Sequence, residues 1–172
     1  MPTRPHRLFG PVLVALLVGL GACGGGDGVA ASTPASGCGP DRQERIDPAS
    51  ANHVFVGGQE PDYATDPPTS GPHAPAPPRS GVLDGPLSRP EQVGHLEAGG
   101  VLFQYRTDLP DDEVAALESL AGTDVVVAPN PELPDPVVAT AWTRKLACGT
   151  VDVDALRAFA ETHLGEGPGS DG

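Results

Sequence analysis

Nine prolines lie between residues 61 and 90, and they restrict the possible folds of this chain more than any other feature. Each proline removes a backbone N–H donor and fixes φ, so such a stretch leaves little room for a helix or a central strand. We expect an irregular but stiff loop wrapped on the domain. Long loops in compact domains are usually either functional or disordered. The run Pro67-Pro-Thr-Ser-Gly-Pro-His73 is therefore a candidate functional segment.

Regular structure is expected on both sides of this loop. A short β-type run precedes it, and a polar turn holding His95 and Glu97 leads into an apolar strand after it. Hydrophobic spacing and turn residues then predict a helix, two buried strands and a second helix. The proposed segments are Asn52–Val56 (edge strand), an apolar strand within the stretch 91–105 after the turn, Asp108–Gly122 (helix), Asp124–Pro129 and Val137–Trp142 (strands), and Asp152–Leu164 (helix). This order predicts a small single-domain α+β fold, with a short mixed sheet and two helices against one face.

The N-terminus has the pattern of an export signal. Arg4 and Arg7 precede Leu8–Leu20, a mostly apolar run that is too short to span a bilayer as a helix. Leu20-Gly21-Ala22-Cys23 then resembles the lipobox of bacterial lipoproteins. That resemblance implies a signal peptide over residues 1–22, lipidation at Cys23, and a location at the extracytoplasmic face of the cell membrane. An ordinary secretory signal with an incidental cysteine is the alternative.

The remaining boundaries follow from composition. Residues 23–37 are rich in Gly, Ser and Ala, as in a flexible linker. Residues 38–166 carry the apolar runs of a globular domain, and residues 167–172 are predicted to form a free tail. The domain would therefore stay close to the membrane that anchors it.

The charge balance excludes one class of partner. After residue 23 the chain holds 8 Lys and Arg against 23 Asp and Glu, a formal charge of −15. Such a surface repels polyphosphate backbones and lacks the basic patch that nucleic-acid binding requires. We expect no nucleic-acid partner. Membrane contact would come from the lipid, and a further partner would be another envelope protein or a small ligand.

An ordered set of motifs carries a family resemblance. Tyr63 precedes Pro67-Pro-Thr-Ser-Gly-Pro-His73, which is followed by Val93, Leu96-Glu97 and Gly99, then by Val126-Val-Ala-Pro129 and Thr140-Ala-Trp142. Together they resemble the DUF3105 family of exported, mostly actinobacterial proteins of unknown function. The resemblance runs from about His53 to Pro168. The family pattern resembles Val-His-x-Leu-Glu-His-Gly, and its two histidines fall here on Gly94 and Ala98.

Cys38 and Cys148 remain as a pair if Cys23 is acylated. An oxidising compartment favours a structural disulfide between them, while a redox pair would lack the usual close spacing. The bond would close a loop of about 110 residues and requires the two Cα atoms within about 7 Å.

His53, His73 and His95 are candidate ligands of a divalent metal such as Zn²⁺ or Cu²⁺, with Glu97 nearby in sequence. The alternative is that each histidine is hydrogen-bonded and structural. Tyr63, His73, His95, Glu97 and Trp142 are the candidate ligand-binding residues, with Trp142 also expected as core or pocket wall. His163, on the last helix, is expected to be partly exposed.

The sequence names no catalytic residue. It contains no Gly-x-Ser-x-Gly elbow, phosphate-binding Gly-Lys-Ser/Thr loop or dinucleotide fingerprint, and it predicts no bound cofactor beyond a possible divalent metal. A non-catalytic binding or interaction module of the cell envelope is therefore the first hypothesis. A metal-binding or metal-dependent envelope protein that uses His73 with His95 or His53 is the second.

Overall fold

The computed structural model describes Met1 and residues 37–55, 57–75 and 79–170. The predicted signal peptide, Cys23 and nearly all of the predicted linker lie outside the described residues. Apart from Met1, the described residues belong to one compact unit, Ser32–Gly172. Within them, no helix is long and apolar enough to cross a membrane.

The described residues form nine elements, which follow one another as β1 (Arg42–Gln43), β2 (Gly81–Val82), α1 (Arg89–Glu97), β3 (Val101–Tyr105), α2 (Asp111–Glu118), β4 (Val125–Pro129), β5 (Val137–Ala141), β6 (Arg144–Cys148) and α3 (Val153–His163). The six strands form one sheet in the order β1-β6-β5-β3-β4-β2. β3, β4 and β2 are parallel, while β5, β6 and β1 pair antiparallel. The fold is therefore α+β with a mixed sheet, as the sequence predicted.

The sheet has a hydrophobic cluster on each face, because neighbouring strand residues point to opposite sides. Phe103 and Val127 join Leu117 of α2 and Phe159 of α3 on one face. Leu102 and Val126 join Leu96 of α1 and Leu87 on the other face. The expectation of helices against only one face is wrong, since α1 covers the second face.

Helix α1 replaces the turn that we predicted around His95 and Glu97. Ser88 caps it, since the Ser88 N–H donates to Glu91 Oε2 at 3.1 Å, and Pro90 lies in the first turn, where its missing N–H costs nothing. Pro90 therefore belongs to the first turn of α1, and the proline-rich loop ends before it. Five consecutive residues of α1 are buried, so the helix has no polar stripe to reveal its period: Gln92, Val93, Gly94, His95 and Leu96.

The proline-rich segment is irregular, as expected, but it is fastened to the rest of the molecule. The predicted edge strand at Asn52–Val56 is absent in its described part, where His53 makes only an isolated parallel bridge to His73. The Ala74 N–H donates to the Pro90 carbonyl at 3.0 Å, which joins the loop to α1. Residues 73–74 thus run along the outer side of α1.

The predicted free tail is wrong for residues 167–170. The Gly169 N–H donates to the Glu97 carbonyl at 2.9 Å, and Ser170 Oγ donates to the Gly165 carbonyl at 2.7 Å. This segment therefore closes over the C-terminal end of α1. Residues 171–172 lie outside the described part of the chain.

The other helices and strands largely follow the predictions. The strands at 125–129 and 137–141 and the helix at 153–163 are confirmed, the last with Asp152 Oδ1 accepting from the Ala155 N–H at 3.0 Å. Helix α2 begins after Pro110 and ends at Glu118, so it is shorter than predicted at both ends. Strand β6 was not predicted, because Arg144 and Lys145 interrupt its apolar pattern.

Candidate functional site

A cavity of about 510 Å³ lies where the parallel strands β2, β3 and β4 end and α1 begins. Ligands of α/β sheets commonly bind outside the carboxyl ends of parallel strands, so the position itself is informative. Seven of the ten lining residues are polar or charged, and Pro86, Leu87 and Pro131 supply the apolar part of the walls. The lining residues are Glu60, Asp66, Pro86, Leu87, Ser88, Arg89, Gln92, Asn130, Pro131 and Glu132.

A chain of side-chain amides forms the buried side of this cavity. Gln92 Nε2 donates to the Leu87 carbonyl at 2.9 Å, and Gln92 Oε1 accepts from Gln104 Nε2 at 3.2 Å. Gln104 Oε1 in turn accepts from Asn130 Nδ2 at 2.8 Å. Because each amide orients the next, Gln92 and Asn130 face the cavity in fixed positions.

Arg89 supplies the one positive charge among the lining residues. Its guanidinium lies 3.1 Å from Glu60 Oε1 and 3.3 Å from Asp66 Oδ1, so two carboxylates of the proline-rich segment hold it. The N-terminus of α1 already faces a carboxylate, that of Glu91. Partial burial is the largest single influence on the pKa of Glu91 and raises it. The two hydrogen bonds with Ser88 and the charge of Arg79 together outweigh burial, so the pKa lies below its usual value.

Sequence reasoning missed the residues of this cavity. Ser88-Arg-Pro-Glu91 is a capping-box pattern with proline in the first turn, and it would have revealed α1 and its N-terminus. Gln92 and Asn130 carried no such signal, since single amides in a sequence point to no particular chemistry.

At the opposite end of α1, three of the predicted residues meet. The His73 ring is buried and lies edge-on to the His53 ring, with centroids 4.8 Å apart. Glu97 Oε2 is 4.0 Å from His73 Nε2. His53 and Glu97 both extend toward the surface, so the cluster has one buried and two accessible members.

His95 does not join this cluster. Its Nε2 donates to the Val101 carbonyl at 3.0 Å, and its Nδ1 accepts from the Arg79 N–H at 3.2 Å. The ring lies against Gly100, where a Cβ would overlap it. Burial lowers the pKa of His95, although the bond to Val101 opposes this. Both ring nitrogens are engaged, so the prediction of His95 as a metal ligand is wrong in this conformation.

Tyr63 and Trp142 are structural. The Tyr63 hydroxyl donates to the Pro72 carbonyl at 2.6 Å, and its ring lies against Gly71, whose φ is +132°. Burial raises the pKa of Tyr63 to about 12, and the Glu60 carboxylate adds to the effect. Tyr63 thereby holds the turn that orients His73. Trp142 packs, half-buried, beside the hydrophobic cluster under α1 and does not line the 510 Å³ cavity.

His163 is buried, contrary to the expectation of partial exposure. Its Nε2 lies 2.7 Å from Asp41 Oδ2, which ties α3 to the segment before β1. In the described part of the chain, no three His, Cys, Asp or Glu side chains are placed to hold one metal ion together.

The predicted disulfide is present between Cys38 and Cys148, with Cα atoms 3.9 Å apart. The two cysteines also form an antiparallel bridge that continues the β1–β6 pairing. A main-chain bond from the Gly39 N–H to the Ala147 carbonyl at 2.8 Å accompanies it. The bond joins the start of the domain to an inner strand, which is a structural role.

A family model describing DUF3105, a protein of unknown function, matches residues 56–171. The chain belongs to this family. No curated protein and no solved structure matches it. The match covers the cavity and the His73–Glu97 cluster but leaves out His53 and the two-residue strand β1.

Gly94 lies within α1 and Ala98 follows its last residue, and the surroundings of the two differ. At Gly94, a Cβ would overlap the carbonyl oxygen of Ala74, so a histidine there would require residues 73–74 to move away from α1. Gly94 is therefore what lets the His73 segment pack so closely. Ala98 follows the last residue of α1, directly beside Glu97.

Proposed function

We propose that this DUF3105 protein is a lipid-anchored, extracytoplasmic binding module of the cell envelope. The domain would bind a small ligand or a segment of another envelope protein in the cavity at the N-terminal end of α1. Lipid at Cys23 would hold the domain to the membrane through the linker.

One observation carries the binding role, namely the polar lining of the 510 Å³ cavity. Gln92 and Asn130 are held by their amide partners, and Arg89 is held by two carboxylates. Fixed hydrogen-bonding groups between apolar walls are what a selective small-molecule site needs, because little ordering is left for the binding step.

The partners of the described hydroxyl groups are not those of a hydroxyl nucleophile. Among the described residues, the hydroxyls bonded to another side chain are those of Thr65, Thr69 and Ser88, and all three bond carboxylates. A nucleophile activated by an imidazole would instead place a hydroxyl beside a histidine.

The anchor rests on the sequence. An apolar run of export length ends in Leu20-Gly21-Ala22-Cys23, and the linker that follows is too polar and Gly-rich to form a core of its own. The extracytoplasmic location agrees with the disulfide between Cys38 and Cys148, since such bonds persist in oxidising compartments.

Fragment binding followed by amide NMR on the full chain in detergent tests the cavity. We would use a library of small amides, amines and sugars and monitor the side-chain NH₂ signals of Gln92 and Asn130. Binding in the cavity shifts these signals, and Pro131→Trp, which places an indole in the exposed wall, removes the shifts.

Pro40→Trp is the matched control, because Pro40 is also exposed but does not line this cavity. It should leave the shifts unchanged. Fragments that bind elsewhere, or that bind equally well to the Pro131→Trp variant, would contradict the proposed site.

A further inference from the structure

His73 holds one ring nitrogen in an unusual state. Its Nδ1 lies 3.2 Å from the Gly71 carbonyl oxygen, which can only accept, so Nδ1 carries the hydrogen. In a neutral ring, Nε2 then carries a lone pair and can accept a hydrogen bond or bind a metal ion. His73 is 2% exposed, and its Nε2 is the only buried side-chain N or O atom without a hydrogen-bond partner among the described residues.

The nearest charged group to this nitrogen is another acceptor. Glu97 Oε2 lies 4.0 Å from His73 Nε2, too far for a direct hydrogen bond. Two lone-pair donors thus face each other across a gap, and a buried acceptor left unpaired is unfavourable. A positive species in the gap would satisfy both atoms.

The surroundings hold these two atoms in place. Gly94 lets the main chain at Ala74 press against α1, which sets the position of His73 beside the helix. On the other side, the Glu97 carboxylate rests on Gly169, where a Cβ would lie 2.8 Å from Oε2. The Glu97 carboxylate thus lies between His73 and Gly169, at the C-terminal end of α1.

We propose that His73 Nε2 and the Glu97 carboxylate bind a divalent cation of the Zn²⁺ type, with water completing its coordination. Zn²⁺ bonds to imidazole nitrogen and carboxylate oxygen at about 2.0–2.2 Å each, so the two bonds together span the observed separation. Two bonds that span 4.0 Å are nearly collinear, whereas a tetrahedral angle at Zn²⁺ places the two atoms about 3.4 Å apart. The gap must therefore close by about 0.6 Å when the metal binds. His53, exposed and in ring contact with His73, is the nearest further imidazole among the residues that the structure describes, but it is not placed as a ligand in this structure.

This site is independent of the proposed cavity. Glu97 ends α1 and Arg89 begins it, and the nine-residue helix separates the two sites by about 12 Å. Cation binding can therefore fail without affecting the cavity, and the reverse is also true. The chain has 23 acidic and 10 basic residues, so it also attracts cations non-specifically. The controls must distinguish this non-specific binding from binding at the site.

The test is titration of the full chain, purified in detergent without a histidine tag, with ZnCl₂ by calorimetry. We expect one Zn²⁺ per chain, and no comparable binding of Mg²⁺, which prefers six oxygen ligands. Glu97→Gln keeps the shape of the side chain and should weaken Zn²⁺ binding about tenfold or more. Glu161→Gln removes an exposed carboxylate of α3 and should leave the affinity unchanged.

A second measurement does not depend on replacing the buried His73. In long-range ¹H–¹⁵N NMR spectra, Zn²⁺ should move the Nε2 signal of His73 from that of a free imidazole lone pair to that of a metal-bound nitrogen. His53→Ala should weaken binding by a smaller factor than Glu97→Gln. Failure to bind Zn²⁺, or equal affinities in the wild type and Glu97→Gln, overturns the proposal. A spectrum that shows a proton on Nε2 at neutral pH despite added Zn²⁺ also overturns it, because His73 and Glu97 then form an ion pair.

Discussion

Lys145 is a buried cation on β6, next to the two-residue edge strand β1. Its Nζ lies 3.0 Å from Glu44 Oε1, while Glu44 Oε2 accepts from Thr65 Oγ1 at 2.7 Å and Thr69 Oγ1 at 2.8 Å. Burial lowers the pKa of Lys145 below its usual value, and Glu44 opposes that shift. One carboxylate thus neutralises a buried ammonium and fastens the proline-rich segment to the sheet.

We predict that Glu44→Gln lowers the free energy of unfolding by about 3 kcal/mol at pH 7, because it leaves a buried ammonium without a counter-charge. The difference in free energy of unfolding between the wild type and Glu44→Gln should be smaller at about pH 9.5. With a lowered pKa, folded Lys145 loses its proton before the unfolded chain does, so its contribution to stability rises with pH in that range. Urea unfolding at both pH values measures this.

Two further variants sharpen that experiment. The double variant Glu44→Gln with Lys145→Met removes the unpaired charge and should recover part of the loss. Glu161→Gln, at an exposed site, should stay within about 0.5 kcal/mol of the wild type. A deficit that is the same at both pH values would contradict the role assigned to Lys145.

At the scale of elements, the short connection from α1 to β3 depends on His95. The Gly100 N–H donates to the His95 carbonyl at 2.9 Å, while the His95 ring covers Gly100 and donates to the carbonyl of Val101. One side chain therefore links the end of the helix, the start of the central strand and the main chain at Arg79.

We predict that His95 makes the domain less stable in mild acid. Burial lowers the pKa of His95, so below about pH 6.5 the unfolded chain binds a proton that the folded domain does not. The free energy of unfolding therefore decreases as the pH is lowered. His95→Gln removes this titration. The variant should be less stable at pH 7.5 by about 1–3 kcal/mol but lose less stability on going to pH 5.5. Identical pH slopes in urea unfolding of the two proteins would contradict this.

Helix α1 shows why some elements escape sequence-based prediction. Strands β4 and β5 are short continuous runs of mostly apolar residues, and helix α3 has its apolar residues on one face, so the sequence revealed all three. Helix α1 lies between the sheet and the proline-rich segment and is buried on nearly all sides. Its polar residues point inward, and the pattern of one apolar face is lost.

At the scale of the whole molecule, the disulfide and the predicted lipid act on the same end of the domain. Cys38 follows the linker directly, and its bond to Cys148 connects that point to an inner strand across 110 residues of sequence. A pull from the membrane would therefore reach the sheet through a covalent bond. It would not first peel off the two-residue strand β1.

We predict that Cys23→Ser abolishes membrane anchoring, because the thioether to diacylglycerol needs that sulfur. The wild-type protein should partition into the detergent phase, held by about 0.8 kcal/mol per buried CH₂ of its acyl chains, and the variant should not. Phase separation and intact mass measure this. The double variant Cys38→Ser with Cys148→Ser is the control and should remain lipidated. A Cys23→Ser protein that still carries the mass of acyl chains would contradict the prediction.

The sequence by itself predicted the α+β class, the strands β3, β4 and β5, the helices α2 and α3, the family and the cysteine pair. These depend on local signals, such as apolar spacing, capping residues and ordered motifs, or on simple counting. It also brought His73 and Glu97 to notice, but not their relation to each other.

Only the tertiary structure decided which polar groups meet. The close contact of Gly94 with Ala74 places His73 beside Glu97. The His95 ring instead packs in the space left by the missing side chain of Gly100. The cavity likewise combines the ends of strands that are distant in sequence with the first turn of α1. Such contacts arise from close packing between segments far apart in the chain, and the spacing of residues along the sequence does not encode them.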